Sequence, residues 1–238
     1  MKRYQQQMLL PEIGEAGQEK LINAKVLLVG AGGLGTVVAT YLAAMGIGTI
    51  RIVDFDEIEE TNLHRQFHYT PNEIGQKKST VLAQKVRAQN SYIQVNAITE
   101  KITKDTIDNL TENCSIVCDC TDNISARVLL DKYCDSKQIP LVHGAVSDWQ
   151  GYVTLFHSKN KYRYSDLIEI EELIRAQTCQ DNGISSPICG IIGSIMANET
   201  LKIILNTHST LDGRLLYIDS LKNVFKTFTI KKSPFTTV

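Results

Sequence analysis

The sequence predicts an α/β protein: a parallel half-sheet continued by a more antiparallel C-terminal half, with helices on both faces. Three observations carry that expectation. Short apolar and β-branched runs recur at Val26–Val29, Thr49–Val53, Gln94–Ile98, Ser115–Asp119, Ile139–His143, Gly151–His157, Arg214–Ile218 and Val224–Ile230. Helical stretches alternate with the earlier runs, at Leu34–Ala44, Gln76–Gln89, Thr103–Leu110 and Ile124–Asp135, and such alternation builds parallel βαβ units. The 238 residues are 43% hydrophobic and 21% charged, an ordinary globular composition for one domain. Within it we separate an N-terminal arm (1–24), a first half (25–145) and a C-terminal half with a crossover loop (146–238).

The organising stretch is Lys25 to Asp56. A strand is followed by Gly30-Ala31-Gly32-Gly33-Leu34-Gly35, then a helix, then a second strand ending at Asp54. This G-x-G-x-x-G lies in a first βα turn with an acid at the next strand end. Only Gly lets the backbone approach a phosphate so closely at a helix N-terminus, and the acid suits a ribose hydroxyl, so the expectation is a Rossmann-like nucleotide site. Val26 to Ile50 carries no charge and could be read as a membrane span. Its six glycines, at 30, 32, 33, 35, 46 and 48, instead break it into strand, helix and strand.

Further along, the polar stretch after Asp56 brings Asn62, Arg65 and the pair Lys77-Lys78 to the carboxyl end of the second strand. An open α/β sheet keeps its ligand there, and Arg65 and Lys78 suit a polyphosphate. A later strand ends in Asp119-Cys120-Thr121-Asp122-Asn123. Asp122 and Asn123 open the next helix, so one reading is a helix cap and the other a magnesium carboxylate at Asp122. Residues 158–185 are charged and irregular and carry Cys179; a loop this long is functional or mobile. A strongly apolar helix (187–205) precedes the closing strands.

Net charge is −1, so nothing argues for wholesale nucleic-acid or anionic-membrane binding. The N-terminus lacks a signal-peptide core, and the expected location is cytoplasmic. Six cysteines in such a chain do not form a disulfide framework, and with no C-x-x-C pair no zinc is expected.

In chain order the motifs are the RY-x-x-Q arm at Arg3 to Gln7, GAGGLG, IVDFD, TNLHRQ (61–66), IGQKK ending at Lys78, and DCTDN (119–123). Together they resemble the ubiquitin-activating-enzyme-like adenylyltransferases of the ThiF/MoeB/HesA family over nearly the whole chain. The resemblance implies ATP at Gly30, Gly32, Gly33, Gly35, Asp54, Asp56, Asn62, Arg65, Gln66, Lys78, Asp122 and Asn123. It implies Mg2+ at Asp122, and catalytic parts for Arg65, Lys78, Asp122 and, in a covalent step, Cys179. The implied reaction is attack of a carboxylate on the α-phosphate of ATP. The implied substrate is the C-terminal Gly-Gly tail of a ubiquitin-like sulfur-carrier protein, and the implied assembly a homodimer.

The chain departs from the family pattern twice. The arm position that usually holds a second arginine, reaching the ATP of the opposite subunit, is Gln6. The first zinc C-x-x-C pair would fall at Lys161-Tyr162-Arg163-Tyr164. These departures keep open a peptide or small-molecule carboxylic acid as substrate, or a weakly active partner subunit. GAGGLG and Asp54 alone would also allow an NAD-dependent oxidoreductase, but Arg65, Lys78 and Asp122 at one crevice suit ATP and magnesium better.

Overall fold

Strand β1 (Lys25–Val29) is apolar on both faces. Val26 and Leu28 pack into one hydrophobic layer and Leu27 and Val29 into the other, as strand alternation requires. The strand therefore belongs in the middle of a sheet covered on both sides. The computed structural model describes residues 2–157, 162–167, 183–207 and 210–231. It places β1 third in an eight-stranded sheet of order β3-β2-β1-β4-β5-β6-β7-β8, with β2 Thr49–Val53, β3 Gln94–Ile98, β4 Ile116–Asp119, β5 Leu141–Ser147, β6 Gln150–Phe156, β7 Arg214–Asp219 and β8 Val224–Thr229. Strands β1 to β5 pair in parallel, and β5 to β8 antiparallel. The expected division into a parallel and an antiparallel half is observed.

In the first half the helices are α1 (Gln5–Met8), α2 (Gly14–Asn23), α3 (Gly33–Met45), α4 (Lys78–Gln89), α5 (Ile107–Thr111) and α6 (Ile124–Lys137). Helix α7 (Ser186–Leu205) is long and apolar enough to cross a membrane. Here its inner face, with Ile188, Ile192 and Met196 fully buried, packs on α3 and on β5 and β6. Helices α5 and α6 cover the opposite face with Ile107, Leu110, Leu130 and Cys134. The uncharged stretch from Val26 is split into β1, α3 and the start of β2.

Chain order reverses between β1 and β4: β2 and β3 lie to one side, β4 and β5 to the other. The turns leaving β1 and β4 part there and leave a crevice, the general ligand position of open parallel sheets. The two turns remain tied at their base, where Cys120 N donates to Val29 O at 2.9 Å.

Candidate active site

The glycine turn is shaped by its neighbours. Gly30 has φ +96°, and a Cβ there would lie 2.7 Å from the carbonyl oxygen of Cys120. A Cβ on Gly35 would sit 1.9 Å from Gly30 O. Gly35 therefore seats α3 on β1, and it does not line the crevice. Gly32 caps α3 with no side chain over the helix end. Its own missing Cβ would meet only Gln66 Nε2, at 3.6 Å. The first N–H groups of a helix have no intrahelical acceptor, so this end presents donors and a positive dipole to the crevice.

The crevice encloses about 480 Å³, ample for a nucleotide. Every other nucleotide-site residue expected from the sequence lines it: Gly30, Gly32, Gly33, Asp54, Asp56, Asn62, Arg65, Gln66, Lys78, Asp122 and Asn123. The structure brings these residues together from three separate strand-to-helix connections. Cys179 lies outside the described residues.

Asp54 spans the floor. Its Oδ2 accepts from Ala31 N at 2.6 Å and its Oδ1 from Asp56 N at 2.8 Å. Burial raises its pKa above the ordinary carboxylate value, against the two N–H groups and the Lys78 charge. Each oxygen keeps a lone pair for a ligand hydroxyl. Lys78, 7% exposed, is the first residue of α4, and its Nζ lies 3.2 Å from Asp56 Oδ2. A lysine in a first helical turn opposes the dipole. A buried lysine there runs against that local preference.

The loop between β2 and α4 is held by two capping boxes, Glu59 with Asn62 and Thr70 with Glu73. The first turns Asn62 and Gln66 inward, both buried. Gln66 Oε1 is buried and has no hydrogen-bond partner among the described residues, an acceptor facing the wall. Arg65 is half-buried and donates through one guanidinium nitrogen to Thr61 O and His64 Nε2. On the far wall Asn123 is the helix cap, its Oδ1 accepting from Ala126 N at 2.8 Å. Asp122 is left exposed at the rim.

The structure adds Arg127 to the expected set. It lines the crevice from α6, donates to Thr121 O at 2.9 Å, hydrogen-bonds Tyr164, and has a buried Nε with no partner among the described residues. Its spacing from the cap, Asn123 to Arg127, is the i,i+4 step that stacks two residues on one helix face, and that was the available signal. Cys189, at the start of α7, also lines the crevice beneath Gly33. Burial raises its thiol pKa, with the Arg65 charge opposing.

The description "ThiF family" matches residues 4–237. The chain belongs to the ThiF family. It is 38% identical over 233 residues to the adenylyltransferase and sulfurtransferase MOCS3 of Dictyostelium discoideum, covering 97% of this chain and 55% of that protein. It is 34% identical to the sulfur carrier protein adenylyltransferase of Thermus thermophilus, covering 98% of this chain and 89% of the relative. This ThiF-family chain thus spans about half the length of the MOCS3 relatives and nearly the whole of the bacterial one. Among solved structures, E. coli MccB with MccA-N7isoASN superposes with a TM-score of 0.82 at 23% identity, over 98% of this chain and 72% of the other. That likeness shows the same fold.

Proposed function

We propose that this chain adenylates a carboxylate with ATP and magnesium, and that the substrate is the C-terminal glycine of a ubiquitin-like sulfur-carrier protein. The observation that carries the reading is one crevice holding a bare helix N-terminus, a ribose-suited Asp54, and Arg65, Lys78 and Arg127. The relatives named for adenylation of sulfur carriers support the choice of substrate.

The lining fits a metal-bound triphosphate better than a bare one. Among the described residues its cations are Arg65, Lys78, Lys101 and Arg127, and its acids Asp54, Asp56, Glu57, Glu59, Glu100 and Asp122. A polyanion entering a wall with more acids than bases needs an added divalent charge. Asp122, exposed at the rim, would hold magnesium, with Asp56 of the same lining as a second carboxylate, and the metal would shield the phosphates and the leaving pyrophosphate.

The chain's own residues do the rest. The N-terminus of α3 binds phosphate, Asp54 binds ribose hydroxyls, and Gln66 Oε1 accepts from a nucleotide donor. Lys78 exchanges its half-exposed partner Asp56 for a phosphate oxygen. Arg127 orients the incoming carboxylate. One carboxylate oxygen forms a bond to the α-phosphorus as the bond to the pyrophosphate oxygen breaks, giving an acyl-adenylate. A carboxylate is already ionised at pH 7, so no general base is required. Homodimerisation is part of the proposal, supported by Leu9 and Leu10, which the arm leaves 71% and 51% exposed. Sedimentation as a monomer at micromolar concentration would refute it.

The test is ATP–pyrophosphate exchange with magnesium, with and without Gly-Gly-ended carriers. Exchange that requires a carrier is the expected result. Exchange driven by a short peptide or small acid would move the substrate to that class. Absence of exchange together with tight NAD binding would overturn the assignment.

A further inference from the structure

Beneath the far wall of the crevice the Asp119–Asn123 turn rests on a buried pair. Asp119 ends β4 and is the register partner of His143 on β5. Both are 1% exposed. His143 Nδ1 lies 2.8 Å from Asp119 Oδ2. The other carboxylate oxygen accepts from Thr121 N at 3.0 Å and from Thr121 Oγ1 at 2.7 Å. Thr121 in turn offers its carbonyl to Arg127, which donates at 2.9 Å. An unbroken hydrogen-bonded chain therefore runs His143–Asp119–Thr121–Arg127, from the sheet interior to the wall of the crevice.

Both ends of this chain are constrained. The rings of Tyr152, Phe156 and Tyr164 surround His143, with centroids 5.4 to 5.8 Å away, and hold the imidazole on Asp119. Burial alone would drive the Asp119 pKa up. The His143 hydrogen bond and charge, the Arg127 charge and Thr121 outweigh it, and the pKa lies below the ordinary value. The carboxylate thus stays ionised and keeps its grip on the turn. Arg127 ends the chain: among the described residues its buried Nε has no hydrogen-bond partner, and its guanidinium is held by the Thr121 carbonyl at 2.9 Å and by the Tyr164 side chain.

We propose that Asp119 and His143 are positioning residues that fix the Thr121–Asn123 turn and thereby set Arg127 and Asp122 at the crevice. The kinetic part of this proposal rests on the adenylation reading; the placement of Arg127 does not. Sites supported by ordered neighbouring hydrogen bonds lose on the order of tenfold to a hundredfold when that support is removed.

The experiment pairs two substitutions with a spectroscopic readout. His143→Phe fills the ring space and donates nothing to Asp119. His143→Asn restores a donor, because its Nδ2, like the histidine Nδ1, is one bond from Cγ. Arginine side-chain Nε–H resonances report the guanidinium directly, and Arg127→Lys identifies the relevant one. In H143F the Arg127 resonance is expected to shift or broaden and kcat for pyrophosphate exchange to fall tenfold to a hundredfold. H143N is expected to recover both. A folded H143F with an unmoved Arg127 resonance would overturn the proposal, as would H143N behaving no better than H143F. Should H143F not fold, Thr121→Val loosens the same chain by removing the Oγ1 hydrogen bond to Asp119 while the backbone one stays. A displaced Arg127 resonance there supports the proposal, and an unmoved one overturns it. A wild-type chain silent in exchange would sink the adenylation reading, while the resonance would still decide the placement of Arg127.

Discussion

Lys78→Met separates charge from packing at the crevice. The lysine side chain is 9% exposed and its partner Asp56 50% exposed, with 3.2 Å between the charged atoms. Methionine keeps an unbranched apolar stem of similar volume. The packing loss is therefore small, under about 1.5 kcal/mol for a volume-conserving exchange. The lost ion pair is half in solvent and contributes about 1 kcal/mol or less. Asp56 can rehydrate, so no buried charge is stranded.

The catalytic loss should be much larger. A fixed cation aimed at developing phosphate charge stabilises the transition state by on the order of 3 kcal/mol. At about 1.4 kcal/mol per decade, that is a fall of roughly two orders of magnitude in kcat/KM. Pyrophosphate exchange with magnesium measures the rate, and a thermal melt measures the fold. A variant that melts within a few degrees of wild type but exchanges about a hundredfold more slowly is the expected result. Exchange within about threefold of wild type would show that Lys78 does not face the reacting phosphates.

Four further outcomes follow from the same structure. Gly35→Ala forces a Cβ to within 1.9 Å of Gly30 O; urea unfolding should show a loss of about 1–3 kcal/mol, and no loss would contradict the packing of α3 on β1. The Asp119 pKa is lowered below its ordinary 3.8, so its stabilisation is fully present above that pH and lost as pH falls through the lower folded value. Acid unfolding of Asp119→Asn against wild type should show a gap that is constant near neutrality and closes only below about pH 4. Cys179→Ala should leave pyrophosphate exchange intact and remove any covalent carrier adduct seen by intact mass; loss of exchange would place Cys179 in the adenylation step itself. Gln6 is exposed, so Gln6→Arg should preserve the melting temperature and, if the arm reaches a partner's crevice, raise kcat; an unchanged rate in a sedimenting dimer would exclude that reach.

Much of this was legible because the decisive residues are consecutive in sequence and close strands. All eight expected strands are present, and the glycine turn, Asp54 and the Asp119–Asn123 turn meet as the motif order implies. The misplacements have local causes. Strand β5 was expected to end at His143 but runs to Ser147. Gly144 and Ala145 give little strand signal, and Gly144 is there because a Cβ would lie 2.4 Å from Met196 Sδ. The helix expected from Thr103 starts at Ile107. Thr103 and Thr106 accept from each other's backbone N–H instead, an alternative to helical bonding. The Asp119–His143 pair was not legible, because its contact depends on β4 lying beside β5, and Arg127 had only its i,i+4 spacing from Asn123 as a signal, since which face of α6 meets the crevice is set by packing.

The charge balance of the crevice explains why so few residues should carry the chemistry. The arm is anchored without any charge at position 6: Asn90 Nδ2 donates to Tyr4 Oη at 2.8 Å, and Gln7 Nε2 to Met45 O at 2.9 Å. Gln6 therefore costs the fold nothing, and it brings no cation to offset the acidic lining. Of the four lining cations among the described residues, Lys101 lies over the Phe55 ring at 5.5 Å. Lys78, Arg65 and Arg127 remain to meet a triphosphate and a carboxylate that repel each other. With no spare cation among them, loss of one cannot be absorbed by its neighbours, and geometry that fixes their direction matters as much as their presence. The buried hydrogen-bond chain behind Arg127 and the helix-start placement of Lys78 are two solutions to that one electrostatic requirement.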